Sequence, residues 1–167
     1  MQRLLPAYPY PDPEPAPRIA VIDRSTPDLG DLFQDIILEH YKRPRNKGTL
    51  EDATVDVHMN NPTCGDEIHL FLRVEDGIVR DVAFEGEGCS ISQASISMMT
   101  QILKDQPVDD GLRLAERFKE MMRGDEQAAN DRELRDARAL AGVSRFPTRV
   151  KCALLGWNAF EEAAKAR

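Results

Sequence analysis

Three cysteines are the residues of this 167-residue chain that are best suited to chemistry. Cys64 lies between two asparagines and an aspartate, Cys89 follows a glycine-rich run, and Cys152 lies near the C-terminus. Because an odd number of cysteines cannot form a closed set of disulfides, their presence favours thiol or metal chemistry in a reducing compartment. We therefore expect a cytoplasmic location.

All three cysteines lie at boundaries of predicted elements. Cys64 lies between two strands, Cys89 directly precedes a helix, and we place Cys152 in the first turn of the final helix. Unpaired N–H groups at a helix start stabilise a thiolate, so Cys89 and Cys152 are expected to ionise readily. Gly65 lets the backbone turn tightly, which brings the Cys64 sulfur and the Asp66 carboxylate toward one point.

Four side chains could together hold a zinc ion: Cys64, Asp66, Cys89 and Cys152. Their spacing supports a metal site less strongly than a pair of cysteines two residues apart would. Free cysteines are also often small buried apolar residues, and two of these three could form a redox or nucleophilic pair. The residues alone do not decide between a zinc site, buried apolar cysteines and a reactive cysteine pair.

Other metal-binding residue types are less promising. His40, His58 and His69 share no metal-ligand spacing, and the last two fall on the expected polar faces of strands. We expect those two histidines to face solvent. Met98 and Met99 are expected to fill the core.

Three strands are predicted ahead of most of the helices. Hydrophobic residues alternate with polar ones in the stretches 55–60 and 68–74, and Asp76-Gly77 is a strong hairpin signal. The returning strand begins at Ile78 and ends at the glycine-rich corner of Gly86 and Gly88. These strands should form one antiparallel sheet with a polar outer face.

The predicted helices flank this sheet. One helix precedes it at about 32–41, and a second begins at Ser90. Helices at about 109–123 and from Asn130, with Glu133 completing a reciprocal cap, come before a last helix after Pro147. The chain is therefore predicted to be an α+β domain in which a three-stranded antiparallel sheet packs against helices.

The N-terminal segment differs from the rest. Seven of the eleven prolines lie within the first thirty residues, where they oppose helix formation. The apolar run after Arg3 is too short for a signal peptide. We expect residues 1–27 to form a disordered or loosely docked arm and residues 28–167 to form a single domain.

Composition excludes two classes of partner. The chain has 29 acidic and 22 basic side chains and a formal net charge of −7, whereas a nucleic-acid binder needs a basic surface. No apolar run approaches the roughly 20 residues that span a bilayer. We expect neither nucleic acid nor membrane as a partner.

Three motifs carry a family resemblance. The runs Asn61-Pro62-Thr63-Cys64-Gly65-Asp66, Gly86-Glu87-Gly88-Cys89-Ser90-Ile91-Ser92 and Phe146-Pro147-Thr148-Arg149-Val150-Lys151-Cys152 resemble the U-type, or NifU N-terminal-like, iron–sulfur cluster assembly proteins. The resemblance covers the chain from about Leu32 to the final helix. It implies a SufE/IscU-like fold.

Two departures favour one branch of that family. Scaffolds of the IscU type carry a histidine before the third cysteine, where this chain has Lys151, and they have a short second connection. Here 62 residues separate Cys89 from Cys152, which is enough for a helical insertion before the C-terminal helix. The chain thus resembles the zinc-dependent sulfurtransferases of the SufU type. A cluster-building scaffold of the IscU type and a closed structural zinc module are the alternatives.

The resemblance also implies roles for particular residues. It assigns zinc to the four ligands Cys64, Asp66, Cys89 and Cys152, and it makes Cys64 the acceptor of persulfide sulfur. The donor would be a SufS-type, PLP-dependent cysteine desulfurase, one of whose histidines takes the zinc and frees the cysteine. The sulfur would then pass to downstream iron–sulfur assembly proteins. Arg149 matches a position that the family uses near the zinc site.

Overall fold

The structure is a computed structural model that describes residues 29–166; the predicted arm at residues 1–27 lies outside the described residues. Its elements are α1 (Leu29–Lys42), β1 (Val55–Asn61), β2 (Asp66–Glu75), β3 (Ile78–Glu87), α2 (Ser90–Leu103), α3 (Val108–Met122), α4 (Glu126–Ala129), a 3₁₀ segment (Arg132–Arg145) and α5 (Pro147–Lys165). The α+β prediction is confirmed.

The three strands form one antiparallel sheet in the order β1-β2-β3, as predicted. The β2–β3 hairpin turns at Asp76 and Gly77, whose φ angles of 52° and 74° suit a tight hairpin turn. Along β2 the even-numbered residues from Asp66 to Leu72 are buried, and the odd-numbered ones are more exposed. This alternation gives the sheet a core face and an outer face.

The core lies between the core face of the sheet and the helices. Helix α2 is almost entirely buried, from Ser92 to Thr100 without interruption, because α1, α5, the 3₁₀ segment and β3 all pack against it. Met98 and Met99 are buried, which confirms their predicted place in the core. A continuous buried surface of this kind exceeds the single stripe expected of an amphipathic helix.

Helices α2 and α5 pack closely against each other. The Ser95 hydroxyl donates to the Ala153 carbonyl at 2.6 Å and accepts from the Trp157 indole N–H at 3.2 Å. A Cβ atom at Gly156 would lie 3.0 Å from Ile96, so glycine there permits the close approach. These contacts hold α5 against α2.

The connection between α2 and α5 contains the predicted extra helices. Helix α3 agrees with the predicted helix at about 109–123. The predicted cap at Asn130 is wrong, because Asn130 ends α4 and the Asp131 side chain instead accepts from the Glu133 backbone N–H. The 3₁₀ segment has a kink at Arg135, where φ is 47°.

One further feature concerns membranes. Within residues 29–166, no helix combines the length and the apolar character needed to cross a bilayer.

Candidate metal centre

Three of the four predicted ligands converge. One ligand atom each from Cys64, Asp66 and Cys152 lies within 4.8 Å of the other two, and the Cys64 and Cys152 sulfurs are 3.1 Å apart. Two sulfurs bonded to one zinc ion at about 2.3 Å in tetrahedral geometry lie about 3.8 Å apart. Two thiols and a carboxylate are a donor set that suits zinc, and binding the ion would move the two sulfurs about 0.7 Å further apart.

Cys89 lies at the edge of this group. Its sulfur is 3.9 Å from Asp66 Oδ2, and its backbone N–H donates to Asp66 Oδ1 at 2.8 Å. Cys89 also caps α2, since its sulfur accepts from the Ser92 backbone N–H at 3.5 Å. The predicted position at a helix start is therefore confirmed for Cys89, and its role as fourth ligand remains a prediction.

Cys152 is placed differently from the prediction. Helix α5 begins at Pro147, so Cys152 is the sixth helical residue and lies in the second turn rather than the first. Its thiol is buried and contacts the Thr148 carbonyl at 3.7 Å. Burial, followed by the neighbouring Cys64 thiol, raises the pKa of the Cys152 thiol instead of favouring ionisation. A bound cation would reverse this preference, because metal ligation deprotonates a thiol.

The loop between β1 and β2 presents Cys64. The Asn61 backbone carbonyl accepts from the N–H groups of Cys64 and Gly65, which closes a tight turn. Gly65 has a φ of 71°, a conformation that glycine adopts readily, as the sequence predicted. The Cys64 side chain is exposed, whereas Asp66 and Cys152 are buried. Cys64 is therefore the thiol of this group that an approaching molecule can reach.

Gly88 makes room for the Asp66 carboxylate. A Cβ atom at position 88 would lie 2.5 Å from Asp66 Oδ1 and 2.4 Å from the Ser92 hydroxyl, closer than real contacts allow. The sequence showed the glycine-rich corner, but it gave no sign that this glycine accommodates a carboxylate. Only the contact of Asp66, at the start of β2, with the segment that leads into α2 reveals that role.

The histidines take no part in this group. His58 and His69 are paired across β1 and β2 on the outer face, where their rings meet Glu67 and Asp56. His58 is exposed as predicted, and His69 is partly exposed. His40 is buried in α1 and bonds to the Ser97 hydroxyl and the Asp136 carboxylate, each at 2.8 Å.

Arg149 lies on the first turns of α5 with an exposed side chain. It borders an apolar groove of about 820 Å³ that also includes Phe146, whose side chain is 61% exposed. The neighbouring Thr148 carbonyl contacts both the Cys64 and the Cys152 sulfur. Arg149 therefore lies one residue after Thr148, which contacts the two sulfurs, and it is not itself among the clustered side chains of Cys64, Asp66 and Cys152.

Comparison with known proteins identifies relatives over most of the chain. The family model of the NifU-like N-terminal domain matches residues 32–153. The chain is 50% identical over 135 residues to the zinc-dependent sulfurtransferase SufU of Bacillus subtilis, covering 81% of this chain and 90% of that protein. It is 44% identical over 137 residues to the iron–sulfur cluster assembly scaffold protein IscU of Streptococcus pyogenes, covering 82% and 85%.

A solved structure supports the same fold. The crystal structure of the Fervidobacterium islandicum protein FiSufU superimposes with a TM-score of 0.71 at 32% identity, covering 78% of this chain and 94% of that one. The expected SufE/IscU-like arrangement of sheet and helices is therefore confirmed.

Proposed function

The chain belongs to the family of NifU-like N-terminal domains, and on that basis we propose that it is a zinc-dependent acceptor and relay of persulfide sulfur. Sulfur would come from a cysteine desulfurase and pass to iron–sulfur cluster assembly. The proposal makes the protein a sulfurtransferase that works with its partner rather than an independent catalyst. A reducing compartment, the cytoplasm, suits three free cysteines.

One observation carries the proposal: an exposed cysteine shares its site with two buried ligand groups. Asp66 and Cys152 are both fully buried, and the Cys64 sulfur lies beside them at the surface. A wholly structural zinc site has no need of an exposed ligand. The arrangement suits a site in which Cys64 serves both the metal and an incoming partner.

Zinc, when bound, would keep the thiols deprotonated and protect them from oxidation, since it has no redox chemistry of its own. We assign the metal to Cys64, Asp66, Cys89 and Cys152. The carboxylate of Asp66 is held on one side by the Cys89 N–H group, and Gly88 leaves the space that it needs. These contacts orient the carboxylate before any metal arrives.

The transfer step is a thiol–persulfide exchange at Cys64. The Cys64 thiolate attacks the outer sulfur of a persulfide on the desulfurase, and a new S–S bond forms as the old one breaks. The desulfurase cysteine leaves as a thiolate, and Cys64 becomes the persulfide. The reaction converts one persulfide and one thiolate into another persulfide and another thiolate, so it needs no external oxidant.

We propose a SufS-type, PLP-dependent desulfurase as the partner and the surface around Cys64 as its docking site. Arg149 is exposed on the helix that carries Cys152, so its guanidinium group is available to an acidic or carbonyl group of the partner. The exposed side chain of Phe146 extends that surface.

A desulfurase assay tests the proposal directly. Alanine production by a SufS-type desulfurase is measured with and without the purified protein, and zinc is measured in the same preparation. We expect about one zinc per chain and stimulated turnover. Cys64→Ser should abolish the stimulation and leave the basal turnover of the desulfurase intact. Unchanged stimulation by this variant would exclude Cys64 as the acceptor.

Two further variants test whether the carboxylate or a histidine binds the zinc. Asp66→Ala should lower the zinc content, whereas His58→Ala, on the outer face of the sheet, should not. If zinc content depends on His58, the assigned ligand set is wrong.

The second candidate function is a scaffold on which clusters are assembled, as the name of the Streptococcus relative states for that protein. Lys151, which precedes Cys152, is exposed and cannot supply the histidine ligand expected of such a scaffold. Anaerobic purification distinguishes the two functions: colourless protein with zinc supports the relay, and brown protein with visible absorption supports the scaffold.

A further inference from the structure

Asn61 holds a buried hydrogen-bond donor that has no partner among the described residues. The side chain is 8% exposed, and its Oδ1 accepts from the Thr63 backbone N–H at 3.2 Å. Its Nδ2 is buried and makes no hydrogen bond within residues 29–166. Buried polar groups are nearly always paired, so an unpaired donor calls for an explanation.

The donor lies beside the metal centre. Asn61 is the last residue of β1, and it is directly opposite Asp66, the first residue of β2. Both side chains are buried and belong to the core face of the sheet. Side chains that are directly opposite in an antiparallel pair have Cβ atoms about 4.5–5.5 Å apart. The Asn61 and Asp66 side chains are therefore neighbours on one face of the sheet, although no hydrogen bond joins Nδ2 to the Asp66 carboxylate in this structure.

The orientation of the amide is also determined. Because Oδ1 is engaged by the Thr63 N–H, the NH₂ group must point away from that backbone. Asp66, for its part, uses Oδ1 for the Cys89 N–H, and its Oδ2 has the Cys89 sulfur at 3.9 Å. The carboxylate thus has acceptor capacity left for a second donor.

We infer that Asn61 is a positioning residue for the metal centre, whose Nδ2–H group donates to the Asp66 carboxylate when the metal is bound. Ligating carboxylates are commonly held by such outer hydrogen bonds, and their removal typically costs about 10- to 100-fold in metal affinity. The inference rests on the proposed zinc site and names a residue beyond its ligands.

A purely structural role is the competing explanation, because Oδ1 already stabilises the turn that leads to Cys64. The test variant must therefore remove the donor and keep the acceptor. In Asn61→Ser a hydroxyl oxygen can still accept from the Thr63 N–H, and the amide NH₂ is gone. Asn60→Ser is the matched control, since Asn60 is exposed on the opposite face and pairs with Glu67.

Two measurements distinguish a positioning role of Asn61 from a purely structural one. Zinc affinity is determined by competition with a chromophoric chelator, and the thermal midpoint is measured for the metal-free protein. We expect Asn61→Ser to weaken zinc binding by about 10- to 100-fold without lowering the metal-free midpoint. The control should change neither quantity. Wild-type zinc affinity in Asn61→Ser would overturn the inference while leaving the proposed function in place.

If the zinc affinity and the metal-free midpoint both fall, a double-mutant cycle decides. In an Asp66→Ala background the Asn61→Ser change should weaken zinc binding no further, because the acceptor is absent. An equal loss in both backgrounds would overturn the inference. A wild-type protein that binds no zinc would overturn the inference and the proposed function together.

Discussion

The sulfurs of Cys64 and Cys152 lie 3.1 Å apart, although 88 positions separate the two residues in the chain. One belongs to an exposed loop after β1 and the other to the second turn of α5. Without a cation, two thiols so close together are prone to oxidation as a pair. With a cation, both become ligands.

This proximity predicts a zinc-dependent sensitivity to oxidation. Diamide, which takes up two hydrogens from two thiols, should produce a Cys64–Cys152 disulfide in the metal-free protein. Zinc should slow the reaction markedly, because both thiolates are then occupied. Peptide mapping under non-reducing conditions identifies the linked cysteines. Linkage through Cys89, or an equal rate with and without zinc, would contradict the assigned geometry.

Gly88→Ala is expected to disturb the metal centre without replacing any of its ligands. The added Cβ would lie 2.5 Å from Asp66 Oδ1, so the carboxylate must move. Zinc affinity should fall by about 10- to 100-fold, as for other losses of ligand orientation. Chelator competition measures this. Gly142→Ala is the matched control, because its Cβ would meet nothing within 4 Å, and equal losses in both variants would refute the explanation.

Arg149→Ala is expected to affect the partner and spare the metal. The side chain is exposed on the surface that we assign to the desulfurase. The concentration of this protein that gives half-maximal stimulation should rise roughly tenfold, which corresponds to about 1.4 kcal/mol. Zinc content should stay at the wild-type level. Lys165→Ala, at the far end of α5, should behave as wild type; a loss of zinc in Arg149→Ala would instead place Arg149 in the metal centre.

His40→Ala is expected to destabilise the domain. The imidazole joins α1 to α2 through Ser97 and to the 3₁₀ segment through Asp136. Its removal leaves a buried hydroxyl with one partner fewer and opens a cavity, at a cost of about 2–4 kcal/mol. Urea unfolding of the metal-free protein measures the free energy of unfolding. The exposed His58→Ala should change it by less than about 0.5 kcal/mol, and similar values for the two variants would contradict this role.

Local patterns determined a large part of this structure. The alternation in β1 and β2, the Asp76-Gly77 turn and the start of a helix after Cys89 all depend on residues within a few positions of one another, and each is predicted. The motif around Cys64 even placed a sulfur and a carboxylate close together through the turn at Gly65. Such features follow from the periods of strands and helices and from backbone preferences.

Contacts between distant parts of the chain decided the rest. The sequence named Cys64, Asp66 and Cys152, but only the packing of α5 beside α2 and the sheet brings them within 4.8 Å. The same packing buried Cys152 and raised the pKa of its thiol, contrary to the prediction from its place near a helix start. Other contacts between elements place Gly88 against Asp66 and bury His40 between α1, α2 and the 3₁₀ segment. Burial and close approach depend on how elements meet, which no local period encodes.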